Sequence, residues 1–130
     1  MIQEHTCPCG SEREYSQCCG PCLNSTRQAL TAEQLMRSRY TAYVLQDKVY
    51  LLQSWHPTTR PQQLELHIEP AKWIGLKIVA TLHGQVEDTT GMVEFIARYK
   101  INGKAHRLHE KSDFIRDKDV WFYVEGINLN

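Results

Sequence analysis

Five cysteines, all between positions 7 and 22, are the residues of this chain best suited to chemistry. Four of them stand in two pairs, Cys7-Pro8-Cys9 and Cys18-Cys19, with eight residues between the pairs. Thiolates at the two ends of a short loop can close a tetrahedral zinc site, and Gly10 and Gly20 free the backbone where it must turn. The spacing predicts one structural Zn²⁺ held by Cys7, Cys9, Cys18 and Cys19.

Other interpretations of these cysteines stay open at the level of sequence. The thiols could be unligated or open to oxidation. An iron–sulfur cluster is a weaker alternative, because its ligands are usually spaced by two or more residues. Cys22 follows the four cysteines and is interpreted as a bystander, although Cys22 or His5 could also replace one of the thiolates.

The distribution of cysteines and charges indicates the setting of the protein. A secreted domain stapled by disulfides spreads its cysteines over the chain, whereas the 108 residues after Cys22 contain none. No secretory signal is visible, and no apolar run is long enough to span a bilayer. Fifteen Lys and Arg balance fifteen Asp and Glu, so nucleic acid is not the expected partner. We predict a cytoplasmic protein that does not enter a membrane.

The chain divides into two regions of different composition. Residues 1–27 are rich in Cys, Gly, Pro and Ser and have few aliphatic side chains. Such a segment cannot bury enough apolar surface to fold alone, so we expect the metal to order it. Residues 28–130 carry clear hydrophobic periodicities and form the second predicted domain.

This second region opens with two predicted helices. Thr31 and Gln34 form a capping-box pattern in front of an apolar stripe with helical spacing. Asp47 is expected to begin a second, shorter helix, which ends at Trp55-His56-Pro57 because proline disfavours helix in the residue before it. The alternating segment 64–68 could be either strand or helix.

The last sixty residues are predicted to form an antiparallel sheet. Apolar residues alternate along 76–82, where Val79 breaks the pattern, and along 93–101. Asn102-Gly103 is a strong signal for a two-residue hairpin turn, and this turn places Phe95 opposite Glu110. A further strand, Val120 to Glu125, follows a tight turn. Helices followed by hairpins indicate an α+β fold.

The cysteine segment resembles a known zinc knuckle. Cys7-Pro8-Cys9-Gly10-Ser11, Tyr15 and Cys18-Cys19-Gly20 together resemble the SEC-C motif, which is found at the C-terminus of the SecA translocation ATPase. The resemblance implies that the four paired cysteines are the zinc ligands. Glu12-Arg13-Glu14 departs from the Gly-Lys-Lys that often follows the serine. These acidic residues make a nucleic-acid role for the knuckle hard to support.

Nearly the whole chain is similar to the YchJ family, bacterial proteins that join a SEC-C knuckle to a nuclear transport factor 2-like domain. The motifs that carry the resemblance include Met36-Arg37-Ser38-Arg39-Tyr40, Trp55-His56-Pro57-Thr58-Thr59-Arg60 and Leu108-His109-Glu110. The resemblance implies a cone of curved sheet wrapped around a helix, often with a pocket in its mouth. It implies a fold and a metal but no reaction.

Glu110, Arg39 and His56 are the residues that could give such a pocket a chemistry. Glu110 is predicted on the inward face, where desolvation would suit it to proton transfer. The favoured alternative is a structural ion pair between Glu110 and Arg39, with Arg37 solvated. His56 could carry protons, but a structural bond to the last helix carbonyls is favoured. His109 is expected on the outer face.

Several aromatic side chains could line the pocket or form the core, and core is favoured. They are Tyr40, Tyr43, Trp55, Trp73 and Trp121.

The function that these features favour is a cytoplasmic zinc-binding adaptor. Its knuckle would dock a protein partner weakly through the segment Ser11 to Gln17, with Tyr15 and Arg13 as anchors. One alternative is that the knuckle only caps residues 28–130. The other is a small-molecule-binding protein or small enzyme, working by proton transfer or hydrolysis in the cone pocket.

Overall fold

The computed structural model describes residues 5–64 and 71–130. The helices precede the strands along the chain, and a 3-10 turn at Tyr15–Gln17 lies ahead of both. The helices are α1 (Gly20–Leu23), α2 (Ala32–Leu45) and α3 (Lys48–Gln53), and the strands are β1 (Lys72–His83), β2 (Thr90–Ile101), β3 (Lys104–Asp117) and β4 (Val120–Asn128). This order confirms the predicted α+β class.

Local capping determines where the two longer helices begin. The Thr31 hydroxyl accepts a hydrogen bond from the Gln34 backbone N–H at 3.1 Å, so α2 starts as predicted. The Gln34 side chain accepts from the backbone N–H of Leu30, one residue ahead of the cap. Asp47 caps α3 in the same manner, because its carboxylate accepts from the Tyr50 N–H at 3.0 Å.

The four strands form one antiparallel sheet in the order β1-β2-β3-β4. Asn102 and Gly103 both have positive φ, 52° and 78°, as a two-residue hairpin turn of this kind requires. The predicted register is confirmed, with Phe95 opposite Glu110. Lys118 and Asp119 make the second tight turn, also with positive φ.

Strand β1 is longer than its alternation indicates and is irregular. It starts at Lys72, and its pairing with β2 shifts between Ile78 and Ala80. Val79 lies in this bulge and is exposed, which explains why it breaks the apolar alternation. The segment 64–68 falls mostly outside the described residues.

Helix α2 packs against one face of the sheet and supplies much of the core. Leu35 and Met36 are buried there in one cluster with Val93 and Phe95. None of the helices among residues 5–64 and 71–130 has the length and hydrophobicity needed to cross a bilayer. The sheet and α2 together place a cysteine cluster on one side of the helix and a cavity on the other.

Candidate functional site

The four paired cysteines converge on one point, as the spacing predicts. Their Sγ atoms all lie within 4.8 Å of one another. The Cys9–Cys18 sulfur distance is 3.6 Å and the Cys18–Cys19 distance is 4.0 Å. Four sulfurs bound tetrahedrally to zinc at 2.3 Å would stand about 3.8 Å apart. The thiol arrangement therefore fits a single tetrahedral ion.

Backbone contacts in the knuckle bring the two pairs together. The Cys7 N–H donates to the Arg13 carbonyl at 2.8 Å and closes the loop between the pairs. The 3-10 turn at Tyr15–Gln17 then returns the chain toward Cys18. A side chain at Gly20 would put its β carbon 2.8 Å from the Tyr15 carbonyl oxygen, so the chain after the second pair has room for glycine only.

The electrostatics of the cluster are those of thiols that share protons. Hydrogen bonds from Cys19 and then Cys7 hold the pKa of the Cys9 thiol far below its usual range. Hydrogen bonds with Cys7 and then Cys9 raise the pKa of the Cys19 thiol. Ser11 Oγ lies 3.1 Å from the Cys18 sulfur, within hydrogen-bond reach. A cation that displaces the shared protons would find a complete set of sulfur ligands.

Cys22 and His5 lie outside this group. Cys22 is buried, and its burial raises the pKa of its thiol. His5 is exposed, and its ring is not among the ligand atoms that cluster within 4.8 Å.

The knuckle is attached to α2 by Arg37 and Thr41. Arg37 Nη1 donates to the Cys9 carbonyl at 2.7 Å, and its Nε pairs with Glu33 at 3.0 Å. The Thr41 hydroxyl lies 3.7 Å from the Cys7 sulfur. Arg37 is therefore the arginine bound to a carboxylate, whereas the sequence favoured Arg39 for that role.

The predicted ion pair between Arg39 and Glu110 is wrong: the part of the chain that the structure describes has no ion pair between these two residues. Arg39 Nη1 instead donates to the Leu51 carbonyl at 2.8 Å and to Ser54 Oγ at 2.7 Å. Its guanidinium carbon lies 4.4 Å from the centre of the Tyr123 ring. Acceptors at the C-terminal end of α3 and aromatic faces take the place of the carboxylate.

His56 is also far from the expected arrangement. Its Nε2 lies 3.0 Å from the Asp117 carboxylate and its Nδ1 lies 2.8 Å from the Thr58 hydroxyl, so it makes no bond to the last carbonyls of α3. It is buried beside Phe122, and it does not line the cavity that contains Glu110. His109 lies on the outer face as predicted, with its Nε2 2.6 Å from the Glu94 carboxylate.

The cavity between α2 and the sheet has a volume of about 260 Å³. Its lining comes from α2 and from all four strands, and is Met36, Arg39, Tyr40, Tyr43, Trp73, Phe95, Ala97, Leu108, Glu110, Ser112 and Tyr123. Trp121 belongs to the core instead and donates its indole N–H to the Leu30 carbonyl at 3.2 Å. Tyr123 and Ser112 were not predicted as cavity residues, although both alternate inward with residues of the predicted inner face.

Two family models match separate parts of the chain. The model of the YchJ middle NTF2-like domain matches residues 31–126, and that of the SEC-C motif matches residues 6–21. The UPF0225 protein of Bordetella pertussis is 49% identical over 122 residues, covering 92% of this chain and 90% of that protein. The UPF0225 protein of Streptomyces coelicolor is 46% identical over 121 residues, covering 92% and 93%.

Two solved structures share the fold. The solution structure of a SEC-C motif containing protein from Rhodopseudomonas palustris has a TM-score of 0.83 at 33% identity, covering 96% of this chain and 99% of that one. The crystal structure of a SEC-C motif containing protein from Psychrobacter arcticus has a TM-score of 0.77 at 28% identity, covering 95% and 81%. With a SEC-C motif that carries the cysteine cluster and an NTF2-like domain that carries the cavity, the chain belongs to the YchJ family.

Proposed function

We propose that this chain is a cytoplasmic adaptor whose knuckle holds one structural zinc ion and docks a protein partner. The observation that carries the proposal is the convergence of four sulfurs within 4.8 Å, with three of the four cysteines buried. Four thiolates complete the coordination of zinc and leave no position for water or substrate. Zinc bound here would supply folding free energy to the knuckle and no catalysis.

The sulfur distances support zinc over an iron–sulfur cluster. A cluster puts several iron and sulfide atoms between its cysteine ligands. All four sulfurs lie within 4.8 Å of one another, which leaves room for one ion and not for a cluster. Borderline-soft Zn²⁺ prefers thiolate ligands in a tetrahedron.

The surface that the zinc would hold in place is small and polar. Glu12, Arg13 and Glu14 are exposed, and Arg13 is held by a hydrogen bond from its guanidinium to the Gln17 carbonyl at 2.6 Å. Tyr15 is half-buried with its ring against Gly20, so it supports the knuckle as well as offering an edge to a partner. A surface of this size should bind at about micromolar strength unless the second domain adds contacts.

The alternative of a proton-transfer enzyme has less support. General acid–base chemistry with Glu110 and His56 requires both groups at one substrate. His56 is instead bound to Asp117, outside the cavity that Glu110 lines. The adaptor is therefore the function that the geometry favours.

Native mass spectrometry of the chain purified without added metal tests the zinc. We expect one zinc ion per chain. A chain that carries iron, or no metal at all, would contradict this part of the proposal.

A pull-down with Arg13→Glu tests the docking surface. The matched control is Arg98→Glu, which reverses an exposed charge on strand β2 away from the knuckle. We expect a protein captured by the wild type and by the control to be lost with Arg13→Glu, while the zinc content stays the same. An unchanged set of captured proteins would show that the knuckle only caps the second domain.

A further inference from the structure

The cavity under α2 is lined by the Glu110 carboxyl group, which has no hydrogen-bond donor among the residues that the structure describes. Within residues 5–64 and 71–130, the Glu110 side chain makes neither a hydrogen bond nor an ion pair, although it is half-buried. The charge of Arg39 acts on it from beyond ion-pair distance. Arg39 lines the same cavity, but its Nη1 is bonded to Leu51 and Ser54 and its guanidinium lies against Tyr123. A half-buried carboxylate that no donor reaches is costly to the fold.

A glycine on β4 leaves room for this carboxyl group. A β carbon at Gly126 would lie 2.6 Å from Glu110 Oε2 and 2.7 Å from its Cδ. Any larger residue at position 126 would therefore displace the carboxyl group from where it lies. The glycine on β4 keeps open the space that the Glu110 side chain occupies next to the cavity.

Much of the remaining cavity lining is aromatic. The Trp73 ring lies 5.9 Å from the Tyr40 ring and 6.0 Å from the Tyr43 ring, centre to centre. Tyr123 and Phe95 also contribute to the lining. Rings in this arrangement offer flat apolar surfaces to a flat guest.

We propose that this cavity binds a small planar molecule that donates N–H hydrogen bonds to Glu110 and packs its ring against Trp73 and the tyrosines of α2. The site is separate from the docking surface of the knuckle, although α2 contacts the knuckle and also lines the cavity.

Charge and size limit the ligand to this class. A purely apolar ligand would seal the Glu110 carboxylate away from water without a donor, and this costs free energy. An anion would meet the Glu110 carboxylate. The Arg39 guanidinium, which could offset this charge, is turned toward Leu51 and Ser54 and lies over the Tyr123 ring. A volume of about 260 Å³ is that of roughly nine water molecules, which suits a single or fused ring of about ten non-hydrogen atoms.

The test uses two probes of nearly equal shape on the full, zinc-loaded chain. 2-Aminoquinoline can donate N–H bonds to a carboxylate, and 2-methylquinoline has a methyl group in place of the amine. We expect the amine to shift the backbone amide resonances of residues that line the cavity, such as Tyr43 and Trp73. Glu110→Gln removes a hydrogen bond to a charged group. We expect it to lower the affinity for 2-aminoquinoline by about tenfold to a hundredfold. Its affinity for 2-methylquinoline should not change.

Two further variants complete the experiment. Glu94→Gln removes a carboxylate from the outer face of the same sheet and should leave the affinity for 2-aminoquinoline unchanged. Glu110→Asp keeps the charge but shortens the side chain by one methylene, and it should also lower the affinity for 2-aminoquinoline. This variant serves as the test if Glu110→Gln does not fold. The proposal is overturned if 2-aminoquinoline does not bind, if the shifts lie outside the cavity, or if a folded Glu110 variant binds it as tightly as the wild type.

Discussion

Replacement of Arg39 by methionine would measure how much the contacts of the buried guanidinium contribute to the free energy of unfolding. Arg39 is 3% exposed, and its Nη1 donates to the Leu51 carbonyl and to Ser54 Oγ. Its guanidinium carbon lies 5.1 Å from the Trp55 ring centre and 4.4 Å from that of Tyr123. Methionine fills much of the same volume but offers neither donors nor charge.

The expected loss of stability follows from these contacts. Two hydrogen bonds from a charged donor contribute about 1.5–3 kcal/mol each, and the two ring contacts add about 1–2 kcal/mol together. Part of this loss is offset, because the variant no longer buries a charge that lacks a carboxylate partner, and the desolvation of that charge costs several kcal/mol. We expect Arg39→Met to lower the free energy of unfolding by about 2–4 kcal/mol.

A double-mutant cycle with Glu110→Gln tests whether Arg39 is stabilised by its contacts with α3 and the aromatic rings or by an ion pair with Glu110. Urea denaturation of the wild type, both single variants and the double variant would give the coupling free energy between positions 39 and 110. Because the two groups do not touch, we expect a coupling below about 1 kcal/mol and little cost for Glu110→Gln alone. Breaking a buried ion pair would cost about 3–5 kcal/mol. A coupling of that size would refute the reasoning, as would Arg39→Met with wild-type stability.

Three other predictions concern the metal, the sheet and pH. The double variant Cys7→Ser, Cys18→Ser should lose stoichiometric zinc and the amide protection of residues 5–25, whereas Cys22→Ser should keep both, as metal analysis and hydrogen exchange would show. Gly91→Ala would put a β carbon 2.5 Å from the Cα of the glycine facing it. It should cost about 1–3 kcal/mol, and an unchanged urea midpoint would contradict this. Burial raises the pKa of Glu110, so protonation stabilises the fold below the ordinary carboxyl pKa and this contribution is lost as pH rises through the folded value. Glu110→Gln should therefore gain stability relative to the wild type from pH 4 to pH 7, and a constant difference would count against it.

Features that depend on local chemistry could be predicted from the sequence. The Thr31 cap and the Asn102-Gly103 turn each follow from backbone groups within a few residues, and the turn then sets the register of twelve pairs between β2 and β3. The cysteine cluster could also be predicted from local sequence, because both cysteine pairs lie at the ends of one short loop. The exposed Val79 in its bulge was visible only as a break in alternation.

The partners of buried polar side chains could not be predicted in this way. Arg39 is bonded to a backbone carbonyl and a serine at the end of α3, and carbonyl acceptors leave no signal in residue types. His56 is bound to Asp117, 61 residues away along the chain and at the end of β3. Arg39 was assigned Glu110 because the strand register made that charged partner visible, whereas His56 was assigned the helix carbonyls nearest to it in the sequence.

Helix α2 connects the two candidate sites, because it presents different faces to them. Arg37 and Thr41, four residues apart and thus on one face, contact the Cys9 carbonyl and the Cys7 sulfur. Met36, Arg39, Tyr40 and Tyr43 lie along the other side and line the cavity. The knuckle cysteines and α2 are parts of one buried cluster. A metal in the knuckle would therefore also fix the position of the helix that forms one wall of the cavity, so a rigid zinc site can serve a binding function in which the ion itself takes no part.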